Sequence, residues 1–173
     1  MEYQNIIPEA RCRVITQKLA QGIEFLHEYG IMIGKLNLDT ILMTDKSDQA
    51  IPRISNLTAA RILMPYQKVK DHTLEFGINW APEVCLGQSF DLKIDSWSFG
   101  TILYHLLTGQ SHVQANNDVK AVQKQIIGLK LESEPLKYRK ISVQAVDLVQ
   151  KCLCVDPARR ITINAALKHA WFK

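Results

Sequence analysis

Four polar residues in one region of the chain are of types that contact phosphate or a metal ion in proteins. Lys35, Asn37 and Thr40 lie within GIMIGKLNLDTILM, which runs from Gly30 to Met43, and Asn56 follows in the next polar segment. A lysine is cationic at neutral pH, so it cannot accept a proton from a hydroxyl. Lys35 is therefore either a phosphate-binding cation or a solvated surface lysine. Because Thr40 and Asn56 are neutral, they are weak ligands for a hard cation such as magnesium, which prefers carboxylates.

The histidines and cysteines do not have the spacing of a metal site. His27, His105 and His169 fall in predicted helices without a second histidine or a carboxylate at metal spacing, and His112 is predicted to be an exposed loop residue. The four cysteines contain no CxxC pair. Free thiols in the core are therefore preferred over a metal site or a disulfide.

The composition is typical of a globular protein. The 173 residues allow one domain with a real core, and 47% of them are hydrophobic. No apolar run approaches the ~18–20 residues of a membrane span, and the N-terminus lacks the layout of a signal peptide. We therefore expect an intracellular, cytoplasmic protein without a membrane partner. The net charge of +4 is spread along the chain, so we expect no nucleic-acid partner either.

Two helices are clearly predicted by their periodicity and their ends. Pro8 and Glu9 suit a first helical turn, and Gly30 suits the stop after the helix. Between them, apolar residues recur at gaps of three and four. In the stretch 95–107 the apolar residues cover nearly the whole helical circumference, and Gly109 ends it. A helix of that kind is buried in the middle of its domain.

The remaining elements are shorter. Three further helices are expected near 117–129, 142–153 and 162–170, because good N-cap residues precede apolar periodicity there. The runs IMI, TILM and IPRIS read as strands, the last two as a hairpin. The segment 61–78 lacks a period and is predicted to be a long loop of functional or mobile character. The predicted fold class is mostly α, with a small β-hairpin element and one buried central helix.

Five motifs, in order, resemble the C-terminal lobe of a eukaryotic protein kinase: AQGIEFLHEYGI, ISNLTAARIL, APEV, KIDSWSFGTILYHLLTG and DPARRITINAALKHAWF. The central and final helices look most like the serine/threonine, calcium/calmodulin-dependent branch. The resemblance covers essentially the whole chain and implies a single kinase-like domain over 1–173. It places a catalytic-loop region at 30–43, an activation-segment region at 55–83, the central helix at 95–108 and the final helices at 142–172.

The resemblance implies structural roles for the residues that match the family. In the family, the glutamate of the Ala-Pro-Glu motif pairs with the arginine before the last helix, and these are Glu83 and Arg160 here. Asp95 corresponds to the residue that holds the backbone of the catalytic loop, and Trp97 packs the core around the central helix. The full set of matching motif residues is Ala81, Pro82, Glu83, Asp95, Trp97, Gly100 and Arg160.

The positions that carry chemistry in the family hold other residues here. Lys35 stands at the catalytic aspartate, Asn37 at the loop lysine, Thr40 at the metal-binding asparagine and Asn56 at the aspartate of the Asp-Phe-Gly motif. Kinase chemistry depends on those groups for positioning and charge neutralisation. We therefore expect a degenerate, pseudokinase-type domain that is not an enzyme, with no catalytic residue, no cofactor and no metal.

Two further expectations follow from the same resemblance. Ile33 and Leu57 fall where the family stacks two side chains of its hydrophobic spine on the central helix, so both are expected to be packed. Thr73 lies in the activation-segment region and is available in principle for modification. Gly34, however, replaces the arginine that usually binds an activation-loop phosphate, which argues against regulation of that kind.

The upper lobe of the family has no counterpart in the sequence. No Gly-x-Gly-x-x-Gly loop and no Val-Ala-x-Lys strand precedes the catalytic-loop region. We therefore expect a protein-binding, scaffold or regulatory module whose partner is another protein covering the face that the N-terminal lobe would occupy. Two alternatives remain open. One is a serine/threonine kinase completed by an N-terminal lobe from another chain, and the other is a truncated or duplicated product without a selected role.

Overall fold

The computed structural model describes residues 7–47, 49–70, 77–114, 118–131, 136 and 139–173. Within these ranges the α-helices are α1 (Glu9–Glu28), α2 (Pro82–Cys85), α3 (Lys93–Thr108), α4 (Val119–Ile127), α5 (Val143–Cys152) and α6 (Ile163–Leu167). The strands are β1 (Ile31–Met32), β2 (Ile41–Met43), β3 (Pro52–Ile54) and β4 (Arg61–Ile62), and 3-10 turns occupy Leu38–Thr40 and Ala170–Phe172. The prediction of a mostly helical fold with a small β element is confirmed.

Helix α1 buries the first part of the stripe that its sequence predicts. The predicted stripe was Cys12, Ile15, Leu19, Gly22 and Leu26, and its first three residues are buried. Farther along the helix Ile23 is buried instead of Gly22, which is exposed, and Leu26 is half-buried. The chain leaves the helix through Gly30, whose φ is +71°. A side chain at this position would also clash with the Leu63 carbonyl oxygen, so both the backbone conformation and the close approach of the neighbouring chain require glycine.

Helix α3 is the centre of the core. Thirteen of its residues are buried, on all sides of the helix, which explains why its sequence is apolar all round. It begins at Lys93, two residues before the predicted start, and ends at Gly109 in the left-handed conformation. Helix α5 packs directly against it at Gly100, where an added Cβ would lie 2.6 Å from the Cβ of Cys152.

Two small antiparallel sheets flank the loop that follows α1. β2 pairs with β3 with Ile41 opposite Ile54, so the predicted hairpin is confirmed. β1 pairs with β4 with Ile31 opposite Ile62. The prediction that residues 61–78 form a long loop was therefore wrong at residues 61 and 62, which form β4. A two-residue strand is too short to show a period, which is why the sequence did not reveal β4.

Side-chain caps fix the starts of the later helices. Asp118, Ser142 and Thr162 each accept a hydrogen bond from a backbone N–H in the first turn of α4, α5 and α6. The final predicted helix is shorter than expected, because α6 ends at Leu167 and the chain continues as a 3-10 turn. Of the described helices, none combines the length and the apolar character needed to cross a bilayer.

Candidate functional site

A buried carboxylate binds the backbone of the loop that follows β1. Asp95, in the first turn of α3, accepts hydrogen bonds from the backbone N–H of Ile33 at 2.8 Å and of Gly34 at 2.9 Å. Its side chain is 1% exposed. Gly34 has a φ of +76°, and a Cβ there would meet the Ala59 carbonyl oxygen at 2.9 Å. The backbone of this loop is therefore fixed by one side chain and one glycine.

His27, near the end of α1, is the third hydrogen-bond partner described for the Asp95 carboxylate. Its Nε2 lies 2.9 Å from Asp95 Oδ2, and its side chain is 9% exposed. The sequence placed His27 in a helix as a structural residue but did not indicate this partner. The two residues are 68 positions apart, and a single sequence carries no spacing signal over that distance.

Two of the residues at the positions that carry chemistry in the family, Asn37 and Thr40, are hydrogen-bonded to each other within the loop. Asn37 Oδ1 accepts from the Thr40 N–H at 3.0 Å, and Thr40 Oγ1 donates to the Asn37 carbonyl at 2.9 Å. The Asn37 N–H in turn donates to Thr40 Oγ1 at 3.0 Å. These reciprocal bonds form a capping box on the 3-10 turn Leu38–Thr40. Asn37 and Thr40 thus stabilise the local turn.

Asn56 forms a separate local turn. Its Oδ1 accepts from the Thr58 N–H at 2.9 Å and from the Thr58 hydroxyl at 2.7 Å. Leu57, between them, is 47% exposed, whereas Ile33 is fully buried. The prediction that both would pack in one column was therefore wrong for Leu57, because the Asn56 turn places its side chain at the surface. Thr73 lies outside the described residues.

The predicted pair Glu83–Arg160 is present and buried. Arg160 Nη1 lies 2.6 Å from Glu83 Oε1 and Nη2 lies 2.8 Å from Oε2, so the two planar groups form a bidentate pair. The guanidinium also donates to the carbonyls of Cys154 and Lys93 and lies 5.1 Å above the Trp97 ring. Because Pro82 and Glu83 begin α2 just after Ala81, this pair fixes the end of the preceding segment to the helical core.

A cleft of about 400 Å³ opens beside the loop. We call it the loop cleft; its walls are residues 34–39, residues 77–80, one face of α3 and the turn after α3. Lys35 and Asp39 line one side, and His105 and His112 line the other. The cleft therefore combines one cation, one carboxylate and two imidazoles, and it contains Lys35 and Asn37 of the predicted positions but not Asn56.

His112 does not lie in the exposed loop environment that its sequence predicted. Its Nε2 is shielded from solvent and has no hydrogen-bond partner within the described residues. The imidazole packs edge-on against the Trp97 ring, with 6.2 Å between the ring centroids. Burial lowers the pKa of His112 to about 4, so the ring is neutral at physiological pH. The exposed-loop prediction was wrong because the turn after α3 folds back over the core.

A second cavity lies on the other side of the loop. We call it the apolar groove; its volume is about 550 Å³, and it runs between the start of α1, the β2–β3 hairpin and α3. Aliphatic side chains form most of its lining: Ile7, Ile15, Leu19, Leu38, Ile41, Met43, Ile102 and Leu106. Its polar rim is Arg11, Asp45, Lys46 and Ser47. Such a surface suits the binding of apolar side chains.

The cysteines are free and outside both cavities. Burial raises the pKa of Cys12 to about 11 and the pKa of Cys85 and Cys152 to about 12. These thiols stay protonated at physiological pH and are therefore poor nucleophiles and poor metal ligands.

The comparisons with known proteins identify the family. The family model described as protein kinase domain matches residues 1–172, and the chain therefore belongs to the protein kinase family. It is 29% identical to the serine/threonine-protein kinase ATG1c of Arabidopsis thaliana over 169 residues, which are 98% of this chain and 23% of that protein. It is 30% identical to the serine/threonine-protein kinase ULK3 of Homo sapiens, covering 97% of this chain and 35% of that protein.

A solved structure supports the same assignment. The structure of the Rad53 kinase domain and SCD2 in complex with AMPPNP matches with a TM-score of 0.80 and 28% sequence identity. The match covers 96% of this chain and 60% of that chain. The chain thus has a kinase-like fold, and it spans about a quarter to a third of the length of the curated relatives described above.

These findings correct one prediction. The sequence led to the expectation that the chain is not an enzyme, but its family is that of protein kinases and its relatives are named serine/threonine-protein kinases. The expectation depended on four side chains, Lys35, Asn37, Thr40 and Asn56. The replacement of individual polar groups does not by itself establish inactivity, so the prediction that the chain is not an enzyme was wrong.

The family implies a magnesium-bound nucleotide, but the side chains at the two metal positions are already engaged in local hydrogen bonds. Thr40 Oγ1 is used in the capping box, and Asn56 Oδ1 is used by Thr58. Within the part of the chain that the structure describes, no three His, Cys, Asp or Glu side chains converge as a metal site. The side chains at these positions therefore do not fit a magnesium ion, which prefers carboxylate oxygens.

Proposed function

We propose that this chain is the C-terminal lobe of a serine/threonine protein kinase-family protein and that it acts as a protein-binding module. The observation that carries the proposal is the apolar groove. Its volume of about 550 Å³ lies within the range of roughly 300–1,000 Å³ typical of binding pockets. Within the family, the motifs KIDSWSFGTILYHLLTG and ALKHAWF favour the calcium/calmodulin-dependent type of branch.

The chemistry of the groove favours a polypeptide partner. Met43 and Leu38 are 39% and 38% exposed at its edge, and Leu42 beside them is 58% exposed. A cluster of partly exposed aliphatic side chains around a concavity is stabilised when apolar side chains of a partner cover it. The cations of the rim, Arg11 and Lys46, are too few to follow a phosphate backbone, so we propose neither a nucleic acid nor a membrane as the partner.

The partner of this groove is proposed to be another protein, covering the face that an N-terminal lobe occupies in the family. Photo-cross-linking tests this directly. A benzophenone amino acid at position 43 should cross-link to the partner in cells, whereas one at position 86 should not. Leu86 is a suitable control because it is apolar and 51% exposed but follows α2 and does not line the groove.

The captured protein is then purified and titrated with variants of this chain. Met43→Asp should weaken its binding by about tenfold or more, because a carboxylate must be desolvated on entering an apolar interface. Leu86→Asp should leave the affinity unchanged. Equal cross-linking from both positions, or equal affinities of the two variants, would contradict the proposal.

A second candidate function is phosphate transfer to serine or threonine. The observation that favours it is the naming of the relatives as serine/threonine-protein kinases. The measurement is magnesium-dependent transfer of phosphate from ATP to a generic protein substrate, made with the chain in its complete native assembly. Activity that is lost in Asn56→Ala would assign a role to that position.

A further inference from the structure

A short projecting segment follows β4 and is pinned at both ends. We call residues 64–68 the hook. On its N-terminal side, Leu63 is buried and its N–H donates to the Gly30 carbonyl at 2.8 Å. On its C-terminal side, Val69 exchanges two backbone hydrogen bonds with Phe90, at 2.9 and 2.8 Å. The hook is therefore a loop whose two ends are fixed to the body of the molecule.

The tip of the hook has a backbone conformation that is costly for its residue. Gln67 N–H donates to the Met64 carbonyl at 2.9 Å and Met64 N–H donates to Gln67 Oε1 at 2.8 Å, which closes a turn with Pro65 and Tyr66 at its centre. Tyr66 has a φ of +62°. With proline before it, this is the pattern of a type II turn, in which glycine or asparagine is preferred at that position. A bulky residue there is strained.

The strain is not offset by burial of the Tyr66 ring. Tyr66 is 103% exposed, so its ring gains no packing from the residues that the structure describes. The neighbouring apolar side chains are also displayed: Met64 is 70% and Ile62 is 77% exposed. Met64 and Tyr66 in the hook, and Ile62 in the adjoining strand β4, are thus large apolar side chains exposed within five residues of the chain. Strained residues persist where they are functional, and exposed apolar clusters mark interaction surfaces.

The charges around the hook specify what it can contact. Lys68 and Lys70 are exposed on either side of the bridged Val69. The stretch RILMPYQKVK, residues 61–70, contains no carboxylate. A complementary surface therefore offers an apolar pocket for the tyrosine ring and carboxylates for the two lysines.

We propose that the hook is a docking anchor for a second protein, whose surface has an apolar pocket with an acidic rim. Tyr66 fills the pocket, and Lys68 and Lys70 pair with the rim. This site is separate from the apolar groove. The groove extends along α1 from its start to Leu19. Leu63, just before the hook, bonds Gly30 beyond the end of α1, about 16 Å farther along the helix axis. A protein fits better than a lipid surface, because stable binding to a bilayer needs a larger apolar face or more cations.

The test starts with a benzophenone amino acid at position 66 in the full chain in cells, with position 143 as the control. Val143 is also apolar and exposed but lies on α5, whose cap Ser142 bonds Glu9 at the opposite end of α1 from the hook. The protein captured from position 66 is purified and titrated with the wild type, Tyr66→Phe, Tyr66→Gly, the pair Lys68→Glu with Lys70→Glu, and Lys120→Glu. Vesicles of phosphatidylcholine, with and without phosphatidylserine, form a parallel arm.

The expected results separate binding from folding. Tyr66→Gly should raise the thermal midpoint of unfolding, because glycine tolerates the positive φ. The same variant should lower the affinity for the partner by about 30-fold or more, as loss of an aromatic anchor does. Tyr66→Phe should keep the affinity. The double lysine variant should weaken binding and reduce its salt dependence, and Lys120→Glu should not. The proposal is overturned if position 66 captures no protein or only a second copy of this chain. It is likewise overturned if Tyr66→Gly binds as the wild type does, or if hook-dependent binding is found only on vesicles.

Discussion

At the scale of single residues, Asp95 determines the geometry of the loop that carries the predicted chemistry positions. A buried carboxylate is stable only where donors compensate the loss of water. Here the compensation comes from the N–H groups of Ile33 and Gly34 and from His27. The Ile33 donor is buried and the Gly34 and His27 groups are partly buried, so water replaces Asp95 poorly and losing the carboxylate leaves these donors undersatisfied.

The Asp95 contacts lead to a prediction about stability. Asp95→Ala should lower the free energy of unfolding by about 3–5 kcal/mol, because it leaves the loop N–H groups and His27 buried without their acceptor. Asp95→Asn should cost less, since its carbonyl oxygen still accepts. Urea denaturation of the purified chain measures both. Asp39→Ala, at an exposed aspartate of the same loop, is the control and should change stability by less than about 0.5 kcal/mol.

At the scale of elements, the packing of α3 against α5 depends on the absence of one side chain. Gly100 faces Cys152 and Leu153, and an added Cβ would lie 2.6 Å from the first and 3.1 Å from the second. A Cβ added at Gly22, in the interior of α1, would meet no other described residue within 4 Å. The chain thus offers one buried helical glycine with a neighbouring helix close to it and one exposed helical glycine without.

This contrast predicts changes of opposite sign. Gly100→Ala should lower the free energy of unfolding by about 1–3 kcal/mol, because the helices must separate to admit the methyl group. Gly22→Ala should raise it by about 0.5–1 kcal/mol through helix propensity alone. Thermal and urea unfolding of the two variants side by side gives the comparison. A stabilising effect at both positions would show that α5 is not packed as closely as the structure places it.

At the scale of the whole molecule, the sequence predicted what depends on local patterns. The caps Ser142 and Thr162, the stop at Gly109 and the buried α3 all follow from neighbouring residues, and so does the β2–β3 hairpin. The resemblance to kinases supplied the Glu83–Arg160 pair. Contacts between distant positions were missed. The partner of His27, the burial of His112, the exposure of Leu57 and the β1–β4 pairing each depend on how far segments fold back, which one sequence does not encode in its spacing.

One carboxylate near the N-terminus joins parts of the chain that are far apart in sequence. Glu9, in the first turn of α1, accepts from the Ser142 N–H at 2.9 Å and from the Ser142 hydroxyl. It also accepts from Trp171 Nε1 at 2.8 Å. Ser142 caps α5, and Trp171 lies in the last 3-10 turn. Glu9 therefore links α5 and the last 3-10 turn to α1 through hydrogen bonds.

This arrangement predicts a pH dependence of stability. Burial acts to raise the pKa of Glu9, but the hydrogen bonds from Ser142 and Trp171 and the charge of Arg13 outweigh it and hold that pKa below its usual value. A carboxyl with a lowered folded-state pKa stabilises the protein above its unfolded pKa, which is about 4.3, and that contribution is lost as the pH falls through the folded value. The wild type should therefore lose stability on acidification below about pH 4.

The matching variant is Glu9→Gln, which keeps the shape but has no charge to titrate. At about pH 7 it should be less stable than the wild type by roughly 1–3 kcal/mol, because charge-assisted bonds are lost. The difference should shrink as the pH falls through the lowered folded-state pKa of Glu9, where the carboxyl takes up a proton. The variant should still weaken in acid, because hydrogen bonds from Lys151 and His169 likewise lower the pKa of Asp147. Asp147→Asn should reduce that remaining part, and Asp45, whose pKa is lowered by hydrogen bonds with Ser47, contributes to the rest. A difference between wild type and Glu9→Gln that stays constant across this pH range would show that the Glu9 charge does not hold the C-terminal elements in place.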